Sequence, residues 1–105
     1  MGLLQGTVDV LILKTLSGKP LHGYGISELI HERSNGDLAV EDAALYQALH
    51  RLERKGLVES EWGISDTNRR ARFYSISPAG RKQLRTEVVE LRRYVNALFS
   101  ILEPV

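Results

Sequence analysis

The stretch DAALYQALHRLERKGLVESEW (Asp42–Trp62) decides the fold. Its first half has the period of a helix. Leu45, Leu49 and Leu52 stand at i, i+4 and i+7 with Ala48 beside them, which aligns them in one apolar stripe. Asp42 suits the N-cap and Gly56 the left-handed position after the last turn, so the spacing predicts a helix over about 43–55. The opposite face carries Ala43, Gln47, His50, Arg51 and Arg54, which are small, hydrogen-bonding or cationic, with no acid among them. The period then changes to two. Val58, Ser60 and Trp62 alternate with Glu59 and Glu61, the pattern of a half-buried strand. Gly63 to Asn68 supplies turn residues, and Arg72 to Ile76 returns as a second strand.

Upstream, two more helices are predicted. The first runs from about Thr7, as N-cap, to Leu16, before the stop signals Gly18 and Pro20. Val8, Val10, Leu11, Ile12, Leu13 and Leu16 surround it almost completely, so it must be buried on more than one side, one of them expected against a partner chain. The second runs from about Tyr24 to Arg33, with Ile26, Leu29 and Ile30 on one face, and is ended by Ser34, Asn35 and Gly36; Leu38 to Val40 forms a short extended link. Downstream, Ser77 caps a long helix with Pro78 at its first position, where the missing N–H costs nothing. Within that helix Leu84, Val88, Leu91, Val95, Leu98 and Leu102 are spaced 4, 3, 4, 3, 4, a seam suited to packing on another helix. Val89, Tyr94, Phe99 and Ile101 widen its apolar surface.

The bounds are consistent with one domain. A chain of 105 residues buries only about 60–70% of its unfolded surface, so a second subunit would add stability. No apolar run approaches the roughly 18 residues that span a bilayer, and the start, apolar but carrying Asp9 and no basic leader, is a poor signal peptide. The chain has no cysteine, which excludes disulfides and thiolate metal sites and fits a cytoplasmic location. The net charge of +1 gives nucleic-acid binding no support by itself. Its distribution matters more: TNRRARF (Thr67–Phe73) places Arg69, Arg70 and Arg72 together without an acid.

Two helices across a turn followed by a two-stranded ribbon make the winged form of the helix-turn-helix. The fold class is therefore mainly α with a small β-hairpin: a winged helix-turn-helix over residues 1–77 and a C-terminal dimerisation helix over residues 78–105. In such folds the exposed side chains of the recognition helix meet base edges in the major groove, and a basic wing reaches phosphates or the minor groove. The strings GTVDVLILKTLSGKPLHGYGI (Gly6–Ile26), ALYQALHRLERKGLVES (Ala44–Ser60) and RRARFYSISPAG (Arg69–Gly80) carry a further signal. On these residues the chain resembles the PadR family of bacterial transcriptional regulators from Gly6 to Gly80. The resemblance implies a homodimeric repressor paired through the C-terminal helix near the partner's first helix. It also implies a response to a small aromatic or drug-like molecule, bound, in so short a chain, at the dimer interface. One departure is informative. Where the family often has proline after the tyrosine of the third helix, this chain has Gln47, which suits a bidentate contact with adenine. Glu41 and Asp42 at the start of that helix favour its dipole but would repel nearby phosphates.

The DNA-binding candidates are Tyr24, Ala43, Tyr46, Gln47, His50, Arg51, Arg69, Arg70 and Arg72. The three wing arginines are expected on phosphates or in the minor groove, against a solvated charged turn as the plainer reading. Tyr24 and Tyr46 either donate hydroxyls to phosphates or sit at the core edge. Arg54, near the helix end, can instead interact with the dipole there. Dimerisation is assigned to Leu84, Val88, Leu91, Val95, Leu98 and Leu102, and a candidate effector pocket to Tyr94 and Phe99 with Val8 or Leu4 opposite, plain dimer packing being the alternative. Trp62 is expected to pack in the core under the wing rather than to form a ligand platform.

His22, His31 and His50 lack metal-ligand spacing, Gly23-Tyr24-Gly25 is no dinucleotide fingerprint, and no nucleophile–base motif is present, so neither a cofactor nor an enzyme is expected. Two other readings compete with sequence-specific binding of double-stranded DNA at a palindromic operator. One is a winged helix used for protein contact, which would want an apolar or acidic third helix. The other is a small enzyme, for which no motif speaks.

Overall fold

A computed structural model describes residues 6–104. The chain orders its elements as α1 (Thr7–Leu16), β1 (Leu21–His22), α2 (Gly23–Arg33), α3 (Asp42–Arg54), β2 (Val58–Ile64), β3 (Arg70–Ile76) and α4 (Pro78–Leu102). The strands form one antiparallel sheet in the order β1-β3-β2. It is the expected winged helix-turn-helix with a long final helix. The two-residue strand β1, which pairs Leu21 with Tyr74 and His22 with Phe73, is an addition to the predicted hairpin.

The core is built around α1. Val10, Ile12, Leu13 and Leu16 are buried against Ile26, Ile30, Leu45, Leu49, Leu52, Val58 and Tyr74. The helix that the sequence makes apolar all round is therefore largely satisfied inside one chain; Val8 and Leu11 are only half-buried. The i, i+4, i+7 stripe of α3 is buried as its spacing requires, with Leu45, Ala48, Leu49 and Leu52 all at 2% exposure or less. At the end of that helix Gly56 adopts φ +74, and the amides of Leu57 and Gly56 return to the carbonyls of Leu52 and Glu53. This pair of hydrogen bonds is the Schellman closure, and its left-handed residue favours glycine.

Element ends differ from the sequence reading by a residue or two. Gly6, not Thr7, is the N-cap of α1, and Glu41, not Asp42, is that of α3; neither cap makes a side-chain hydrogen bond. The second helix begins at Gly23 because the His22 ring nitrogen Nδ1 accepts from the Gly25 amide at 3.0 Å. The hairpin is longer than expected: β3 starts at Arg70 rather than Arg72, and Ile64 pairs with Arg70 as its last rung.

The entry to α4 is fixed from several sides. Ser77 Oγ accepts from the Gly80 amide at 3.0 Å and donates to the Gly56 carbonyl at 2.6 Å, while the Ser77 amide donates to the Leu57 carbonyl at 3.0 Å. This docks the first turn of α4 onto the α3–β2 junction so closely that a methyl at Gly80 would overlap the Leu57 carbonyl oxygen. Beyond Leu84 the helix leaves the core. Its 25 residues span roughly 37 Å, and it stretches the chain to 55 × 29 × 22 Å, with a radius of gyration of 15.0 Å against about 13 Å for a compact domain of this length. Gly80→Ala should therefore destabilise the fold by about 1–3 kcal/mol, as overpacking does. Urea unfolding followed by circular dichroism measures this, and an unchanged midpoint would show that the α4 entry has slack.

Candidate nucleic-acid interface

Two elements approach each other on one side of the molecule. The exposed face of α3 presents Ala43, Tyr46, Gln47, His50 and Arg54 to solvent. Across from it stands the hairpin of β2 and β3. Val58, Ser60, Trp62 and Ile64 on one strand, and Arg70, Arg72, Tyr74 and Ile76 on the other, share one sheet face by the register of the pairs. At the base this face is core, with Val58 and Tyr74 buried. Towards the tip the helices end and the same face opens into a groove lined by Tyr24, Tyr46, His50, Trp62, Arg70 and Arg72, among others.

The expected core position of Trp62 is corrected here. Its side chain is 56% exposed, and the guanidinium carbons of Arg70 and Arg72 lie 4.5 and 5.9 Å from its ring centroid. The period-two pattern assigned the right face; the wing simply projects beyond the helices that would have covered it.

The candidate cations have different surroundings. Arg51 donates to Asp9 at 2.7 Å, tying the recognition helix to α1, so it is half-covered rather than presented on the open face. Arg72 donates from Nε to Ser60 Oγ at 2.9 Å and from a terminal nitrogen to Glu53 at 3.2 Å, and Ser60 donates to the same Glu53 oxygen at 2.5 Å. This triad joins the last turn of α3 to both strands of the wing. The Ser60 hydroxyl is the main cause that holds the Glu53 carboxyl below its ordinary pKa; burial opposes it, and Arg72 adds to the lowering. Arg69 sits in the turn, whose backbone closes through the Ser65 amide on the Arg69 carbonyl at 2.8 Å. The Arg69 amide donates to Ser65 Oγ at 3.2 Å, but the guanidinium groups of Arg69 and Arg70 have no hydrogen-bonded or ion-paired partner among the described residues.

The two tyrosines divide as well. Tyr24, 71% exposed in the first turn of α2, has Glu28 beside it, which raises the pKa of its hydroxyl. The phenol of Tyr46 lies over the N-terminal turn of α2, where a methyl at Gly23 would collide with its hydroxyl. Glu28 and Glu32 make the α2 wall of the groove acidic, whereas Lys19, which the sequence reading passed over, adds a cation at its edge. The Glu53–Ser60–Arg72 triad was also missed: nothing in local spacing joins positions 7 and 19 residues apart.

The proposed dimerisation residues lie on α4, apart from this groove. Leu84 belongs to the chain's own core, but Val88, Leu91, Val95, Leu98 and Leu102 are exposed, as are Val89, Tyr94, Phe99 and Ile101. Of the candidate effector residues, Val8 is half-buried against the core while Tyr94 and Phe99 are exposed on α4; Leu4 lies outside the described residues. Among the described residues no cluster of histidine and carboxylate could hold a metal ion, and no helix is long and apolar enough to cross a membrane.

A recognition helix and a basic wing flanking one groove define a winged helix-turn-helix regulator. The chain belongs to the transcriptional regulator PadR-like family, whose model matches residues 12–86. A transcriptional regulator of Mycobacterium tuberculosis is 35% identical over 94 residues, covering 87% of this chain and 84% of that one. An uncharacterised protein of Lysinibacillus sphaericus is 30% identical over 105 residues, covering 96% and 95% of the two chains. Among solved structures, a transcriptional regulator from Clostridium thermocellum is similar with a TM-score of 0.86 at 28% identity, over 94% of this chain and 96% of its own. A PadR family transcription regulator from Clostridium difficile gives 0.80 at 27% identity, over 93% and 100%. The family is one of transcriptional regulators, not of enzymes, and its membership implies DNA binding.

A depressed carboxylate pKa stabilises the fold above the ordinary glutamate range, and that stabilisation is lost as pH falls through the lowered value. Between about pH 6 and about pH 3 the melting temperature of the wild type should therefore fall more steeply than that of Glu53→Gln. Parallel curves by differential scanning calorimetry would show that the triad carries no folding energy.

Proposed function

We propose that the chain is a homodimeric repressor of the cytoplasm that binds a roughly palindromic operator. Residues 1–77 bind the DNA and residues 78–105 pair the subunits. The observation that carries this reading is the bare apolar face of α4: nine large apolar side chains between Val88 and Leu102 stand at 38% exposure or more. Contiguous apolar surface on that scale marks an interaction site. The 4, 3, 4, 3, 4 spacing suits a second copy of the same helix, packed knobs into holes. A twofold axis through such a pair would set two recognition helices about 34 Å apart, one turn of duplex, and so require matching half-sites.

On each half-site α3 enters the major groove. Gln47 and His50 are the side chains available for base edges, and Gln47 is assigned to adenine. Arg69 and Arg70 supply backbone contacts from the wing. Repression follows from occupancy of a promoter. The small-molecule response is assigned to the dimer interface, where Tyr94 and Phe99 of one subunit would offer aromatic surface near Val8 of the other. A winged helix used for protein contact is disfavoured by the open face of α3, which carries Gln47, His50 and Arg54 rather than apolar or acidic groups.

Two measurements test this. The double variant Leu91→Arg with Leu98→Arg should sediment as a monomer and lose operator binding, because burying charge at the seam is costly; an intact dimer would put the seam elsewhere. Gln47→Ala, titrated against operators changed at each position, should relax discrimination at one base pair per half-site by about 1–3 kcal/mol. An unchanged preference at every position would remove the base-reading role.

A further inference from the structure

Arg70 and Arg72 of the wing both lie over the Trp62 ring, at 4.5 and 5.9 Å, but only Arg72 is also hydrogen-bonded through its guanidinium. Arg72 lies directly opposite Trp62 in the hairpin register, but its Nε and one terminal nitrogen are engaged by Ser60 and Glu53. Arg70 lies two rungs nearer the tip, opposite Ile64 and diagonal to Trp62 on the same face. Diagonal neighbours are within reach of an aromatic ring. The Arg70 guanidinium carbon is 4.5 Å from the indole centroid, inside cation–π range, and this is its one specific side-chain partner among the described residues. Glu59 and Glu61 belong to the other face of the hairpin. Asp66 of the turn lines the same groove but makes no ion pair with Arg70.

An indole in this place needs a reason. At 56% exposure Trp62 contributes little to the core, and the sheet face it occupies has already left the helices behind. A guanidinium resting on a ring uses its flat face, while its N–H edge stays open to a phosphate. The stacked side chain has also given up much of its rotamer freedom before the DNA arrives, which lowers the ordering cost of the contact.

We propose that Trp62 is a positioning residue for DNA binding, its indole holding Arg70 extended with its donor edge towards the phosphate backbone, while Glu53 and Ser60 keep Arg72 as a strut of the wing. The proposal rests on the DNA-binding reading of the groove and deepens it.

The test uses a random-sequence duplex, because a backbone contact needs no operator. Arg70→Gln should bind about tenfold more weakly at low salt and reduce the slope of log affinity against log salt by about 0.9, one phosphate. Trp62→Leu should weaken binding roughly threefold, Trp62→Phe should restore part of the loss, and adding Trp62→Leu to Arg70→Gln should weaken binding no further. Trp62 is the only tryptophan, so its emission reads the stacking without DNA. Acrylamide quenching should rise in Arg70→Gln, as the covered ring face opens, and stay at the wild-type value in Arg54→Gln. Wild-type binding with unchanged affinity and slope in Trp62→Leu, or additive losses in the double variant, would overturn the positioning role and leave the DNA-binding reading intact. No binding by the wild type would overturn the DNA-binding reading, and the positioning role with it.

Discussion

The packing of α1 governs the rest of the molecule. Ile12, Leu13 and Leu16 are almost wholly buried, and the helix is in contact with α2, α3, α4 and β3. A chain of this length can fill only one core, and α1 stands in the middle of it. What packs on α1 is scaffold: the leucine stripe of α3, Ile26 and Ile30 of α2, Val58 and Tyr74 at the base of the hairpin, Leu84 at the start of α4. What runs past it is left in solvent. Two such overhangs exist among the described residues, the tip of the wing and the outer seven-tenths or so of α4, and they carry the side chains proposed to face DNA and a second subunit.

This division explains what could be read in the sequence. Most patterns that report local geometry were reliable, although the caps expected at Thr7 and Asp42 fall one residue earlier. The spacing of Leu45, Leu49 and Leu52 buried the right face of α3, Gly56 closed it with φ +74, and Ser77-Pro78 opened α4 with Ser77 Oγ on the Gly80 amide. Trp62 shows where such patterns stop. Alternation assigns a face, not a cover, and whether a face is buried depends on how far the neighbouring helices extend. The same limit hid β1, which exists only because β3 gives Leu21 and His22 a ladder to join.

The candidate site was legible in which side chains lie exposed on α3 and the wing, and illegible in the contacts they make. Spacing placed Gln47, His50 and Arg54 correctly on an open helix face. It could not show that Arg51 reaches back to Asp9, or that Arg72 reaches Glu53, since those partners are 42 and 19 residues away. Both ion pairs are partly exposed, so each contributes little to stability. Their consequence is geometric. They tie α3 to α1 and the wing to α3, and they leave Arg69 and Arg70 as the wing cations without an ion-pair partner among the described residues. In a chain of net charge +1 that concentration at one edge is the electrostatic footprint proposed to meet DNA.

The central claim is that this edge recognises a specific duplex. The most direct measurement is a titration of the protein into a fluorescent duplex from the region upstream of its own gene, at two salt concentrations, beside a scrambled duplex of equal length. The account predicts tight binding to the upstream duplex, weak binding to the scrambled one, and a steep loss of affinity with salt as counterions are released. Weak, salt-insensitive and equal binding to both would contradict it.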